Sequence, residues 1–361
     1  MKKKKNLILE NIKLLNAGAK GVAIGRTEEG KTVMVSGAIP GDLVNVRVKK
    51  AKSKYYEGEA IDLLEKSPYR VDPKCIHFGV CGGCKWQNMS YEKQLDFKQE
   101  EVYNNIKRIG GIDDFETVPI LGSEEQYYYR NKMEFSFSNA RWLTQYEISS
   151  EENFGNRDAL GFHIPGMWSK ILDLKECFLQ EEPSNTIRLA VKEYAVKHGL
   201  EFFDVRNHEG FLRTLMMRQN SNGEWMVLFQ LYREEKENRE KLFEFLIETF
   251  PQIKTLVYAI NPKPNDSIYD LDINVYFGEG YLMEEMDGLK FKIGPKSFFQ
   301  TNYKQALELY RKTLEFADLK GEEVVYDLYT GTGTIAQYVA RNAKQVIGIE
   351  SVQEAIDAAI E

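Results

Sequence analysis

At 361 residues the chain is long enough for two or three domains, and its 43% hydrophobic and 29% charged residues exclude a disordered or fibrous protein. No apolar run reaches 18 residues, and the lysines at 2 to 5 precede no apolar segment of signal-peptide length, so the expected location is the cytoplasm, without membrane contact. A net charge of −7 argues against a nucleic-acid partner until it is divided along the chain, because residues 1–70 carry 15 Lys and Arg against 8 Asp and Glu on an acidic remainder.

Residues 7–65 alternate short β-type runs with turns. The runs begin at Gly21, Lys31, Asp42 and Glu57, with turn signals at Glu29-Gly30 and Pro40-Gly41. Several short strands in so few residues predict a small barrel over 1–69, of the five-stranded oligonucleotide-binding (OB-like) kind. Arg47, Lys49, Lys50, Lys52 and Lys54 fall on the third run and the loop after it, as a phosphate-binding surface requires. A barrel that only packs on its neighbour is the alternative, and a solvated tail accounts for Lys2 to Lys5.

Cys75, Cys81 and Cys84 follow in a C-x5-C-x2-C loop with Pro73, Gly79, Gly82 and Gly83, and Cys177 lies far downstream. Glycines let such a loop fold around a metal and aim N–H groups at sulfur. Four thiolates suit a 4Fe-4S cluster or tetrahedral zinc, and the x5 spacing favours iron–sulfur over the short zinc knuckles. Disulfides are disfavoured in the cytoplasm, and His77 is a bystander.

The spacing of Leu95, Val102 and Ile106 predicts a helix over 91–109, stopped by Gly110-Gly111. From 118 to 290 the pattern is mixed, with strands at 132–137, 212–218 and 225–230 and helices at 184–198 and 235–250. A further helix at 301–316 presents Ala306, Leu307, Tyr310 and Leu314 on one face. A buried strand at 324–328 then carries Asp327, a glycine turn opens a helix near Ile335, and a second strand at 345–349 closes on Glu350. Gly331 and Gly333 let the backbone approach a ligand, and an acid at the tip of the second strand is placed for ribose hydroxyls. Gly-Thr-Gly-Thr lacks the third glycine of the dinucleotide fingerprint, which favours S-adenosylmethionine over NAD.

Taken in order, these segments resemble the uracil-5 RNA methyltransferases, specifically the 23S ribosomal RNA type with an iron–sulfur cluster. Gly21-Val-Ala and Gly37-Ala-Ile-Pro-Gly-Asp42 resemble an RNA-binding TRAM domain. The cysteine spacing resembles the family's cluster ligands, Tyr129 to Phe135 its Y-R-N-K segment, Ser297 to Asn302 its F-x-Q-x-N motif, and Asp327 to Gly333 its D-L-[FY]-x-G-x-G. The resemblance implies an α+β and α/β multidomain chain. A TRAM barrel at 1–69 precedes a mixed central domain at 70–290 with the iron–sulfur loop, and the start of a Rossmann-like methyltransferase domain fills 291–361. Whether the helix at 91–109 packs on the methyltransferase lobe stays open. The resemblance also implies Gln300, Tyr329, Gly331, Gly333 and Glu350 as contacts of S-adenosylmethionine, Cys75, Cys81, Cys84 and Cys177 as cluster ligands, and ribosomal RNA as partner.

Methylating carbon 5 of uracil needs a thiolate to add at carbon 6 and a base to remove the carbon-5 proton. The resemblance puts that cysteine and a glutamate base, with a D-P-P-R-like segment before them, beyond residue 361. Position 330, a cysteine in some relatives, is threonine. The expectation is therefore a C-terminally truncated chain with no catalytic residue of its own, inactive in methyl transfer by itself. The readings from other classes are a non-catalytic RNA-binding protein and an iron–sulfur redox protein. A transfer-RNA uridine methyltransferase is the near alternative, set second because the usual bacterial form lacks both barrel and cluster.

Overall fold

The structure, a computed structural model, describes residues 7–150 and 155–360; Lys2 to Lys5 lie outside the described residues. Two compact units, Met1–Gln126 and Tyr127–Glu361, make up the chain. Among the described residues no helix is long and apolar enough to cross a membrane.

In the first unit, β1 (Ile8–Gly18), β2 (Val22–Arg26), β3 (Thr32–Ser36), β4 (Leu43–Ala51) and β5 (Tyr55–Glu65) close a barrel in the order β1-β2-β3-β5-β4. Alternate residues of each strand point inward, and Ile12, Leu14, Val33, Val35, Val44 and Val46 form its core. Asp42, the last residue of the Gly37–Asp42 segment, ties the barrel's loops together. Its buried carboxylate accepts from the N–H groups of Ile39 (2.8 Å) and Ser67 (2.9 Å) and from the Arg70 guanidinium at 2.8 and 2.6 Å.

After the cysteine loop comes α1 (Tyr91–Arg108). The face predicted from Leu95, Val102 and Ile106 is not a buried one: α1 has no buried residue, and Val102 is exposed. Polar anchors hold this helix in place of an apolar stripe. Gln94 donates to the carbonyls of Trp86 and Met89, Gln99 bonds Val118 and Ile120, and Asn16 of β1 donates to Glu100 at 3.0 Å.

The second unit is built on a seven-stranded sheet. Its elements in chain order are β6 (Lys132–Ser138), α2 (Gln145–Ser149), β7 (Ala159–Ile164), β8 (Met167–Asp173), α3 (Ser184–Lys197), β9 (Leu212–Gln219), β10 (Trp225–Leu231), α4 (Lys236–Thr249), β11 (Ile253–Ile260) and β12 (Asn274–Phe277). The strand order is β12-β11-β10-β9-β6-β7-β8, antiparallel except for β10 and β11. Phe243 of α4 packs on Phe229 and Tyr258, register partners on one face. Met216, Met226, Leu228 and Val257 fill the other with Leu282, Ile268 and Ile273. Both faces are thus covered, which is why the strand sequences read as nearly continuous apolar runs.

The C-terminal part of the same unit holds the hairpin β13 (Leu282–Met286) and β14 (Leu289–Ile293), then α5 (Tyr303–Ala317), β15 (Val324–Leu328), α6 (Thr334–Val339), β16 (Gln345–Ile349) and α7 (Gln353–Ile360). β15 and β16 pair in parallel as a two-stranded sheet. Asn302 caps α5 by accepting from the Gln305 N–H at 3.1 Å. The apolar face predicted for this helix is the one that packs: Ala306 and Tyr310 are buried with Phe291, Phe299 and Tyr338, and Leu307 and Leu314 lie against them.

Candidate cofactor-binding site

The turn after β15 is shaped by backbone that only a few residues tolerate. Tyr329, Gly331 and Gly333 all have positive φ, at 63°, 58° and 77°. Asp327 braces the turn from below, its Oδ2 accepting from Thr330 Oγ1 (2.7 Å) and the Ala336 N–H (3.0 Å). A β-carbon on Gly348 would stand 3.0 Å from Thr330 Cγ2, so glycine on β16 is what lets the threonine pack there. Thr330 is thus a structural residue of the turn.

Glu350 closes β16 across from that turn. Its Oε2 accepts from the Gly331 N–H at 2.9 Å, and its Oε1 from the N–H groups of Ser351 and Val352 at 2.7 and 2.9 Å. Those donors, Val352 foremost, hold the carboxyl below its usual range, so it is ionised at neutral pH. An ionised carboxylate has about four acceptor sites, and the Ser351 hydroxyl at 3.4 Å takes the fourth, so a ligand hydroxyl would have to displace that long contact.

Gly331, Thr332 and Glu350 line a cleft of about 840 Å³, with Ser297 and Phe298 opposite and Ala355 of α7 on its rim. Its volume suits a nucleoside-sized ligand. Of the other predicted contacts, Tyr329 is 92% exposed beside the turn, Gly333 is buried at the start of α6, and Gln300 offers its carbonyl to Asn131 Nδ2 at 3.0 Å; none of the three lines the cleft.

Several positions that line or support the cleft escaped the sequence reading. Ser297 and Phe298 sit inside the Ser297–Asn302 motif, which could have flagged them. Tyr269, Asp272 and Glu279 come from the loops around β12 and carry no local signal. Arg218 lies on β9 and donates from Nη2 to the Ser297 carbonyl at 2.9 Å, holding up the wall of the cleft. Burial lowers its guanidinium to about 10, against the opposing pull of Tyr269 and Glu284.

The four cysteines are half-buried. In the loop of the first unit the Gly83 N–H donates to Cys81 Sγ at 3.4 Å and Gln87 Nε2 to Cys84 Sγ at 3.2 Å. Burial pushes the Cys81 thiol up, the Gly83 N–H works against it, and the neighbouring Cys84 and Cys75 add to it. Cys177 belongs to the second unit, where its backbone is clamped by Asn185. Among the described residues no group of three or more His, Cys, Asp or Glu stands ready to hold a metal ion.

The basic stripe of the barrel is less available than its sequence suggested. Arg47 pairs with Glu59 (3.3 Å) and Lys50 with Glu57 (2.9 Å), each facing its partner across antiparallel β4 and β5, and Lys49, at the bulge between them, also reaches Glu59 (2.5 Å).

Comparison with known proteins places these features in a family. The TRAM domain family matches residues 11–61, the barrel strands. An uncharacterized RNA methyltransferase of Bacteroides thetaiotaomicron is 48% identical over 342 residues, covering 94% of this chain and 75% of its own length. One from Porphyromonas gingivalis is 48% identical over 351 residues, covering 96% and 75%. Among solved structures, the Pyrococcus abyssi tRNA (uracil-54, C5)-methyltransferase in complex with S-adenosyl-L-homocysteine aligns with a TM-score of 0.70 at 25% identity, over 97% of this chain and 75% of that one. With such identity along nearly its whole length, and a nucleoside-sized cleft at the glycine turn, the chain belongs to the RNA methyltransferase family.

Proposed function

We propose that the activity of this chain's family is S-adenosylmethionine-dependent methylation of carbon 5 of a uridine in RNA, with 23S ribosomal RNA as the substrate, and that this chain brings to it the donor-binding cleft. The observation that carries the donor assignment is the cleft at the tips of β15 and β16. There Gly331 brings backbone close to a ligand, and the ionised Glu350 lines the same cleft, where ribose hydroxyls would take the place of its weakest donor, the Ser351 hydroxyl at 3.4 Å. Gln300 and Tyr329 stand on the segments flanking the cleft and complete the donor contacts in this reading. The parallel pair β15–β16 with α6 is, on the same reading, the start of a Rossmann-like sheet spanning 291–361. No catalytic residue is assigned within 1–361: of the four cysteines, three lie in the loop at 75–84 and the fourth at 177.

The cluster belongs to the same proposal. N–H groups directed at Cys81 and Cys84 favour iron-bound thiolates in the loop of the first unit. The bound group would order this loop. Iron and sulfide assayed on anaerobically purified protein check it: about four irons per chain are expected, and zinc in their place refutes the assignment.

Transfer RNA is the second reading, and the Pyrococcus alignment favours it. An alignment over 97% of the chain includes the barrel, so a barrel does not separate ribosomal from transfer RNA substrates. Nucleoside analysis of the two RNA classes from cells lacking the protein decides between them. Loss of 5-methyluridine from 23S ribosomal RNA supports the first reading, loss from transfer RNA the second, and loss from neither overturns both.

A further inference from the structure

The hairpin of β7 and β8 carries a feature the cofactor cleft does not use. Gly166, at φ 77°, turns the chain, and Trp168 follows with 65% of its surface exposed. Large aromatics are costly to leave in water, and such exposure marks contact surfaces. Three cations from different segments gather about Lys170 of the same hairpin. Lys170 lies two residues on along β8, Arg157 precedes β7, and Arg206 reaches Ser169 Oγ with Nη2 at 3.3 Å. Arg157 spends Nη2 on the Arg141 carbonyl at 2.9 Å, and its buried Nε has no partner. Burial first, and then the charges of Arg157 and Arg206, hold the Lys170 ammonium below its usual range.

Among the described residues none of these three cations forms an ion pair. Of the described acids nearby, Glu147 pairs with Arg141 (2.8 Å) and Asp173 with Lys192 (2.5 Å); Asp204 accepts from Asn139, Asn207 and the Arg206 N–H, and Asp158 adjoins Arg157 without pairing with it. Three cations with no direct ion pair among the described residues raise the local positive potential and favour an anion there. An aromatic plane beside them favours nucleic acid over an acidic polypeptide, since bases stack where carboxylates do not.

We propose that this hairpin is an RNA-contact surface separate from the cofactor cleft, on which Trp168 stacks against an unpaired base while Arg157, Lys170 and Arg206 meet the flanking phosphates. The proposal rests on the RNA-methyltransferase reading and adds to it a place where single-stranded RNA lies.

The test is binding of a uridine-containing single-stranded oligonucleotide to the protein, followed by tryptophan fluorescence over a range of salt. Quenching on binding is expected. Trp168→Ala should lose about tenfold in affinity, by the usual worth of one base–aromatic stack, and Trp168→Phe should keep the affinity while losing the quench. Lys170→Ala and Arg206→Ala should each lower the slope of log affinity against log salt by about 0.7, the share of one phosphate contact on a single strand. Wild-type binding with all variants unchanged overturns the surface and leaves the family reading intact. No wild-type binding to any RNA overturns both. Competition by poly-glutamate equal to that of RNA of the same charge reassigns the patch to acidic polypeptides.

Discussion

Strands β9–β10 and β15–β16 are both apolar pairs in the same unit, yet they live in different environments. Every residue of β9 and β10 is buried, polar ones included, whereas none of β15 or β16 is, and Tyr326 and Leu328 are 62% and 60% exposed. The first pair lies inside a seven-stranded sheet with cover on both faces; the second is a sheet of two strands. An apolar run specifies a strand, but its neighbours decide what it contributes to stability. The candidate cleft lies at the tips of this second pair.

Substitutions along the two pairs sharpen this contrast. Phe229→Ala in β10 removes a fully buried ring and should cost about 3–5 kcal/mol in denaturant unfolding. Next is Asp42→Ala in the barrel, which leaves Arg70 and two N–H groups without their acceptor and should cost on the order of 3 kcal/mol. Burial alone would raise the Asp42 carboxyl, but Arg70 and the N–H groups of Ile39 and Ser67 hold it below the usual range. Its folded value therefore lies under the unfolded one, near 3.9. The stability it contributes is present above about pH 4 and lost as pH falls through the folded value, a limb that acid titration of the variant should lack. Tyr326→Thr in β15, a β-former replacing an exposed ring, should change stability by less than about 0.5 kcal/mol. A large loss there would show that β15 is covered after all, and the comparison would fail.

Much of the architecture was legible because local pattern and tertiary environment agree. The barrel runs, the helices at 184–198, 235–250 and 301–316, and the strands at 212–218 and 225–230 all appear within a few residues of their predicted places. The failures have physical causes. Periodicity suggested an apolar face for α1, but glutamines bonded to loop carbonyls do the holding, and such bonds leave no period in the sequence. The basic run on β4 is present as read, and what counting charges could not show is that cross-strand register sets Glu57 and Glu59 beside it. At the cleft, Gly331 and Glu350 announced themselves through turn chemistry. Arg218 did not, since its role depends on a contact 79 positions away in sequence.

The most direct test is calorimetric titration of S-adenosylmethionine into the protein and into Glu350→Gln. The account predicts one site in the wild type, with affinity unchanged from pH 8 to about 5 because the carboxylate stays ionised throughout that range. In the variant it predicts a loss of tenfold or more, about 1.5–3 kcal/mol for hydrogen bonds to a charged group. Wild-type affinity retained by Glu350→Gln, or no binding by the wild type, would contradict it.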